Sequence, residues 1–324
     1  MTDAAKAATA LKLGTRRSKL AMAQSGHVAE AVRQLTGRDV ELVEITTYGD
    51  VSKEQLAQIG GTGVFVTALR DALLRGEVDF AVHSLKDLPT AQPEDLTLAA
   101  VPVREDPRDV LVARDGLTFA QLPEGARVGT GSPRRMAQLN AYARSHGMKI
   151  ETVPIRGNID TRVGYVRNGE LDAVVLAAAG LRRIGRVDEV SEFLDPGVCL
   201  PAPGQGALAI ECAATNADLA AVLAELDDPR TRFAVTAERA LLAALEAGCS
   251  APVGALADFL VDGQIVNEMR LRGVVGSTDG AELVQLSTTG PVPTSHHAAE
   301  ALGRELASEM LAKGAAGLMG ERAL

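Results

Sequence analysis

The stretch that most constrains the fold runs from Val78 to Pro89, VDFAVHSLKDLP, an apolar run that stops abruptly in polar residues. Phe80, Ala81 and Val82 suit a strand buried on both faces, and Pro89, which extends neither a ladder nor a helix, ends it. Such a strand belongs to a sheet covered on both sides by helices, an α/β architecture. Open α/β sheets bind ligands in the crevice beyond the carboxyl ends of their strands. Lys86 and Asp87, on the exit loop, are therefore candidate site residues, with His83 and Ser84 beside them. The bland alternative is a solvated Lys-Asp pair.

The rest of the chain repeats this alternation. A short strand over residues 11–14 precedes Thr15-Arg16-Arg17-Ser18, which opens a helix to about Leu35, closed by Gly37. Its apolar positions are read as Leu20, Ala23, His27, Val28, Ala31 and Leu35. A strand at 40–46 leads into a loop, 49–63, whose glycine cluster lacks a following Gly-Lys-Ser/Thr and so reads as a hinge or loop, not a phosphate cradle. Residues 102–107 form a polar crossing segment, after which strands and helices alternate again to about residue 200. A Pro/Gly hinge at 201–206 and a strand at 207–212 point to a return to the first domain. Two helices follow, then three alternating segments and a helix over 296–313, a third domain of α+β type. No internal sequence repeat is evident.

Length and charge bound the function. A chain of 324 residues with 46% apolar content buries a sizeable core in two or three domains. A net charge of -9 argues against a nucleic-acid partner, and no window reaches about 18 uninterrupted apolar residues, as a membrane span needs. The N-terminal residues carry no apolar signal segment, so the expectation is a cytoplasmic protein. Cys199, Cys212 and Cys249 are odd in number and show no metal-ligand spacing, so neither a disulfide framework nor a metal site is expected.

Arginine placement is more informative than arginine number. Of 33 basic residues only seven are Lys, and three strand exits of the second half present arginine: Arg134 with Arg135, Arg156 with Arg162, and Arg182 with Arg183. Guanidinium forks converging on helix N-termini make a multi-point carboxylate or phosphate site. Cys249, between Gly248 and Pro252, reads either as a small buried apolar residue or as an accessible thiol.

Six segments carry a resemblance. LKLGTRRSKLAMAQS, HSLKDLP, GTGSPRR, IRGNIDTR, PAPGQGALAIE and TAERALLAALEAGCSAPVGA, in this order over about residues 11–260, closely resemble the porphobilinogen deaminase (hydroxymethylbilane synthase) family. The resemblance implies a cytoplasmic, monomeric transferase of tetrapyrrole and heme biosynthesis. It would condense four porphobilinogens, with loss of ammonia, on a dipyrromethane cofactor joined by a thioether to Cys249, and release hydroxymethylbilane by hydrolysis. The implied fold is α/β, two periplasmic-binding-protein-like domains with a cleft between them plus a small α+β C-terminal domain. The domains would span 8–103 with 206–225, then 108–200, then 229–324. The family's catalytic aspartate falls on Asp87, and its cofactor- and substrate-binding set on Arg16, Ser18, Lys86, Ser132, Arg134, Arg135, Arg156, Arg162, Arg183 and Gln205. Thr62, Thr67 and Lys19 depart from the common family residues. Two rivals stand beside this reading: a non-catalytic two-lobed anion-binding protein, and an enzyme using Lys86 as a Schiff-base lysine.

Overall fold

The computed structural model describes residues 10–46, 66–247, 251–262 and 265–319. Thr62, with the whole 49–63 loop, and Cys249 lie outside the described residues. In chain order the first strands are β1 (Leu11–Thr15), β2 (Val40–Glu44), β3 (Phe80–Ser84) and β4 (Leu96–Ala100). After the crossing segment come β5 (Asp109–Ala113), β6 (Ala126–Gly129), β7 (Ile150–Val153), β8 (Ala173–Ala177) and β9 (Glu192–Phe193), and then β10 (Leu208–Ala213). The helices between them are α1 (Lys19–Thr36), α2 (Thr67–Leu74), α3 (Pro133–Ser145), α4 (Ile159–Arg167) and α5 (Ala178–Arg183).

Two sheets of matching order result, β2-β1-β3-β10-β4 and β7-β6-β8-β5-β9. In each, three parallel strands meet a fourth that runs antiparallel. The antiparallel strand is the one that follows a crossing segment: β5 enters the second lobe and β10 returns to the first. The two lobes thus repeat one topology without repeating a sequence, because a sheet needs only apolar strand interiors, which many residues supply. Phe80 and Leu13 are fully buried in the first lobe, and Val128 and Leu111 in the second. The crossing segments touch, with the Glu105 amide donating to the Gly206 carbonyl at 3.2 Å. Gly206 has φ +88°, and a Cβ there would lie 2.4 Å from the Glu105 carbonyl oxygen, so only glycine fits this approach.

The helix starts are capped by serine hydroxyls, Ser18 accepting from the Ala21 amide and Ser132 from that of Arg135. The buried face of α1 differs from the expectation. Gln24, Ser25, Val28, Ala29 and Val32 are buried, while His27 is exposed. Polar residues occupy that face because they have partners on the strands: Ser25 Oγ donates to Thr15 Oγ1 at 2.7 Å, and Gln24 Nε2 to Ser84 Oγ at 3.0 Å. Apolar periodicity misses a face held by hydrogen bonds.

Helix α6 (Ala217–Leu223) packs Leu219 and Leu223 into the core of the first lobe, and the third domain comprises α7 (Pro229–Ala244), the antiparallel strands β11 (Val253–Asp262), β12 (Ile265–Gly276) and β13 (Leu283–Pro291), and α8 (His296–Ala312). Its core packs Leu241, Leu271, Leu306 and Met310 between helices and sheet. Glu238 on α7, fully buried, ties this domain to the crossing segments. It accepts from Arg104 Nη1 at 2.6 Å and Nη2 at 2.9 Å, from the Gly204 amide at 2.7 Å and from the Ala257 amide at 2.9 Å. Glu238→Ala should therefore cost about 3–5 kcal/mol, because it leaves the Arg104 charge buried and unpaired. A urea titration checks it: a midpoint within error of the parent would show that the node carries no stability.

Candidate active site

Several sequence-predicted site residues lie just past the carboxyl ends of strands: Arg16 and Ser18 after β1, Lys86 and Asp87 after β3, Ser132 to Arg135 after β6 and Arg156 after β7. Beyond β3 the chain makes a single helical turn, Leu85–Asp87, whose Leu85 and Leu88 side chains are buried while Lys86 and Asp87 are half-buried. Lys86 Nζ lies 3.5 Å from Gln205 Oε1 on the second crossing segment. Burial lowers the Lys86 pKa to about 8; the Asp87 carboxylate opposes the shift, and the Arg135 and Arg134 guanidiniums add to it. The turn from the first lobe therefore faces the arginines of the second.

Arg134 and Arg135, on the first turn of α3, are buried. Arg134 Nη1 donates to Asp109 Oδ2 at 2.7 Å and to the Leu200 carbonyl at 2.5 Å. Arg135 donates to Asp109 Oδ1 through Nε at 3.1 Å and Nη2 at 2.7 Å, and to the Val175 carbonyl through Nη1 at 3.0 Å. Gln205 Nε2 adds a bond to Asp109 Oδ1 at 2.9 Å. Burial alone would raise the Asp109 pKa, but the two guanidiniums hold it well below the usual carboxylate range. Asp109 is the residue that sequence reasoning missed. Its available signal was position, at the head of β5 directly after a crossing segment.

Arg156 and Arg162 are placed differently. Arg156, half-buried at the β7 exit, has a buried Nη1 with no hydrogen-bond partner among the described residues. Arg162 on α4 donates from Nε to the Gly157 carbonyl at 2.8 Å. Burial, followed by the charges of Arg135 and Arg156, brings the Arg162 pKa down to about 10. Arg183, at the end of α5, donates from Nη2 to the Gly206 carbonyl at 2.6 Å, and burial lowers its pKa. Arg16 and Ser18 lie at the β1 exit, the place in the first lobe that Ser132 to Arg135 hold in the second. Neither α1 nor α3 has an acidic residue of its own in its first turn, where it would oppose the positive end of the helix.

His83 belongs to the support of the strand. It is buried, with Nε2 3.1 Å from Glu211 Oε2 though not aligned for a hydrogen bond, and Glu211 accepts from Arg70 at 2.8 and 3.0 Å. Cys199 and Cys212 are both buried, and Cys199 Sγ lies 3.4 Å from Asp109 Oδ2. Thr67 opens α2 and is exposed. No group of three or more His, Cys, Asp or Glu suited to a metal ion occurs among the described residues, and no described helix is long and apolar enough to cross a membrane.

Comparison with known proteins gives this geometry a family. Residues 11–221 match the family model described as porphobilinogen deaminase, dipyromethane cofactor binding domain, and residues 232–312 match porphobilinogen deaminase, C-terminal domain. The chain is 83% identical over 318 residues to porphobilinogen deaminase 1 of Streptomyces avermitilis, covering 97% of this chain and 98% of that protein. It is 56% identical to porphobilinogen deaminase of Thermobifida fusca, with 95% of each covered. Among solved structures it is similar to the periplasmic VFT2 domain of Bordetella pertussis BvgS, at 17% identity and a TM-score of 0.38 over 67% of this chain and 86% of that one. It is also similar to a Salmonella typhimurium periplasmic binding protein, at 17% identity and a TM-score of 0.36 over 68% and 92%. With both family models matched in order and relatives this similar along nearly the whole length, the chain belongs to the porphobilinogen deaminase family.

Proposed function

We propose that this chain joins four porphobilinogen molecules head to tail, with loss of ammonia, on a dipyrromethane primer held by a thioether to Cys249, and releases the linear product by hydrolysis. It acts as a cytoplasmic monomer, without nucleic acid, and its domains divide at 8–103 with 206–225, 108–200 and 229–324. Family membership makes it a transferase of tetrapyrrole biosynthesis with dipyrromethane as cofactor. It also sets aside the reading of a non-catalytic anion-binding protein.

The observation that carries the site assignment is the clustering of Arg135, Arg156 and Arg162. Burial, then the charges of Arg135 and Arg156, lower the Arg162 pKa, and Arg156 keeps a buried Nη1 without a partner among the described residues, so the cluster calls for an anion. The residues present fit an acetate- and propionate-bearing cofactor. Dipyrromethane, when bound, supplies the pyrrole carbon to which the first substrate is joined. Arg156 and Arg162 hold ring carboxylates, with Arg183, Arg16 and the capped ends of α1 and α3 around them. Arg134 and Arg135, locked by Asp109 and Gln205, form the rigid positive wall behind. Lys86, still largely protonated at neutral pH, adds a cation beside Asp87.

Asp87 does the electrostatic work. Loss of ammonia from the aminomethyl group of porphobilinogen leaves a cationic methylene-pyrrolenine, and a fixed carboxylate stabilises charge that develops only on that path. Asp87 also accepts from pyrrole N-H groups and can pass a proton to the leaving amine or take one from the attacked carbon.

Arg156→Leu tests the assignment. This variant should fold, because Arg156 leaves its Nη1 unpartnered among the described residues, and should fail to load cofactor or to extend the chain. Arg156→Lys should restore part of the loss, since Lys keeps the charge without the fork. Intact mass and porphobilinogen consumption are measured; normal loading and extension in the Leu variant would remove Arg156 from the site.

A further inference from the structure

We infer that Arg239, on α7, is a positioning residue that sets the orientation of the turn carrying Lys86 and Asp87. The inference rests on the reading of Asp87 as the catalytic carboxylate. Arg239 Nη1 donates to the Leu85 carbonyl at 3.2 Å and to that of Leu88 at 2.9 Å, and Nη2 donates to the Pro89 carbonyl at 2.6 Å. One guanidinium from the third domain thus gathers backbone carbonyls from both sides of Lys86 and Asp87.

The turn has little else of its own to fix its direction. Its internal hydrogen bond runs from the Leu88 amide to the Leu85 carbonyl at 3.1 Å, and the Leu85 amide reaches the Ala207 carbonyl at 3.0 Å. Leu85 and Leu88 anchor it in a small apolar cluster with Val66, Val101 and Val235. Apolar contact is non-directional: it sets how deep the turn sits, and it leaves the rotation about the anchored side chains to the hydrogen bonds. On the side of the third domain the turn borders a cavity of about 590 Å³ lined by Leu85, Thr90, Val101, Val235 and Arg239, so open space adjoins it there. A planar fork aimed at three carbonyls fixes that rotation, and a flexible ammonium does not.

The neighbour of Arg239 widens the consequence. Glu238 holds Arg104 and the Gly204 amide of the crossing segments, and α7 leads to the segment that bears Cys249. Successive residues of one helix therefore register the catalytic turn and the hinge in a common frame, so the third domain acts on chemistry that takes place between the other two.

The test uses the cofactor-loaded enzyme and porphobilinogen, with Arg239→Gln, Arg239→Lys and Asp87→Asn alone and combined. Arg239→Gln should keep the cofactor mass and a KM within about twofold while kcat falls about 10²-fold, the cost of an ångström-scale misplacement of a reacting group. Arg239→Lys should recover about tenfold of that loss. In the Asp87→Asn background, Arg239→Gln should change kcat by less than about twofold, because the group being positioned is gone. Assays run well below the melting temperature of each variant separate this from a loss of folded protein. The proposal is overturned by a normal kcat in Arg239→Gln, by a loss explained by the unfolded fraction, or by the same fold-loss with and without Asp87. Normal turnover in Asp87→Asn alone would instead sink the catalytic reading of Asp87, and the proposal with it; normal turnover in Arg239→Gln beside an inactive Asp87→Asn would sink the positioning role alone.

Discussion

Asp87→Asn should fold like the parent and turn over porphobilinogen at least about 10²- to 10³-fold more slowly, by analogy with the removal of one preorganised oxyanion-hole donor. The amide matches the carboxylate in size, so the turn and its anchors Leu85 and Leu88 are undisturbed. What is lost is the negative charge facing the cation that forms as ammonia leaves. A second consequence follows at Lys86. Asp87 opposes the fall of its pKa, so in the Asn variant that pKa should move below about 8. Single-turnover kinetics on cofactor-loaded protein measure the first effect and the pH dependence of lysine modification the second. Near-parental turnover would take Asp87 out of the mechanism.

Cys249→Ser should fold, carry no covalent cofactor and form essentially no tetrapyrrole. A serine hydroxyl is a far poorer nucleophile than a thiolate, and the other two cysteines cannot stand in. Burial, with the Asp109 charge beside it, pushes the Cys199 thiol up to about 12, and burial also raises that of Cys212. Both remain protonated at neutral pH and closed to solvent. Cys199→Ser and Cys212→Ser should therefore keep the adduct, with a stability cost of about 1 kcal/mol, typical of a single core substitution. Intact mass of the three variants decides the matter. An adduct retained by Cys249→Ser would overturn the attachment site.

The features legible in the sequence share a physical cause. The β3 strand, its stop at Pro89, the caps Ser18 and Ser132, the αL glycine at position 37 and the antiparallel third sheet all follow from preferences that act over a few residues. Apolar runs must be buried, Pro cannot donate, and a hydroxyl at a helix start finds the free amides of the first turn. These local rules also put the arginines at strand exits, which sufficed to mark a site for carboxylates.

The lobe topology, the buried face of α1 and the role of each guanidinium came from the tertiary structure. Whether an arginine is free for a ligand depends on where a carboxylate arrives, and those carboxylates arrive from far along the chain. Asp109 meets Arg134 from 25 positions away, and Glu238 meets Arg104 from 134 away. Nothing in the local sequence separates Arg135, bound to Asp109, from Arg156, whose Nη1 has no partner among the described residues. The sequence by itself determined which chemical groups this protein brings to its strand ends. Only packing decided which of them brace one another and which are left for a ligand, because a charge is spent by its spatial neighbours, and the fold alone selects those.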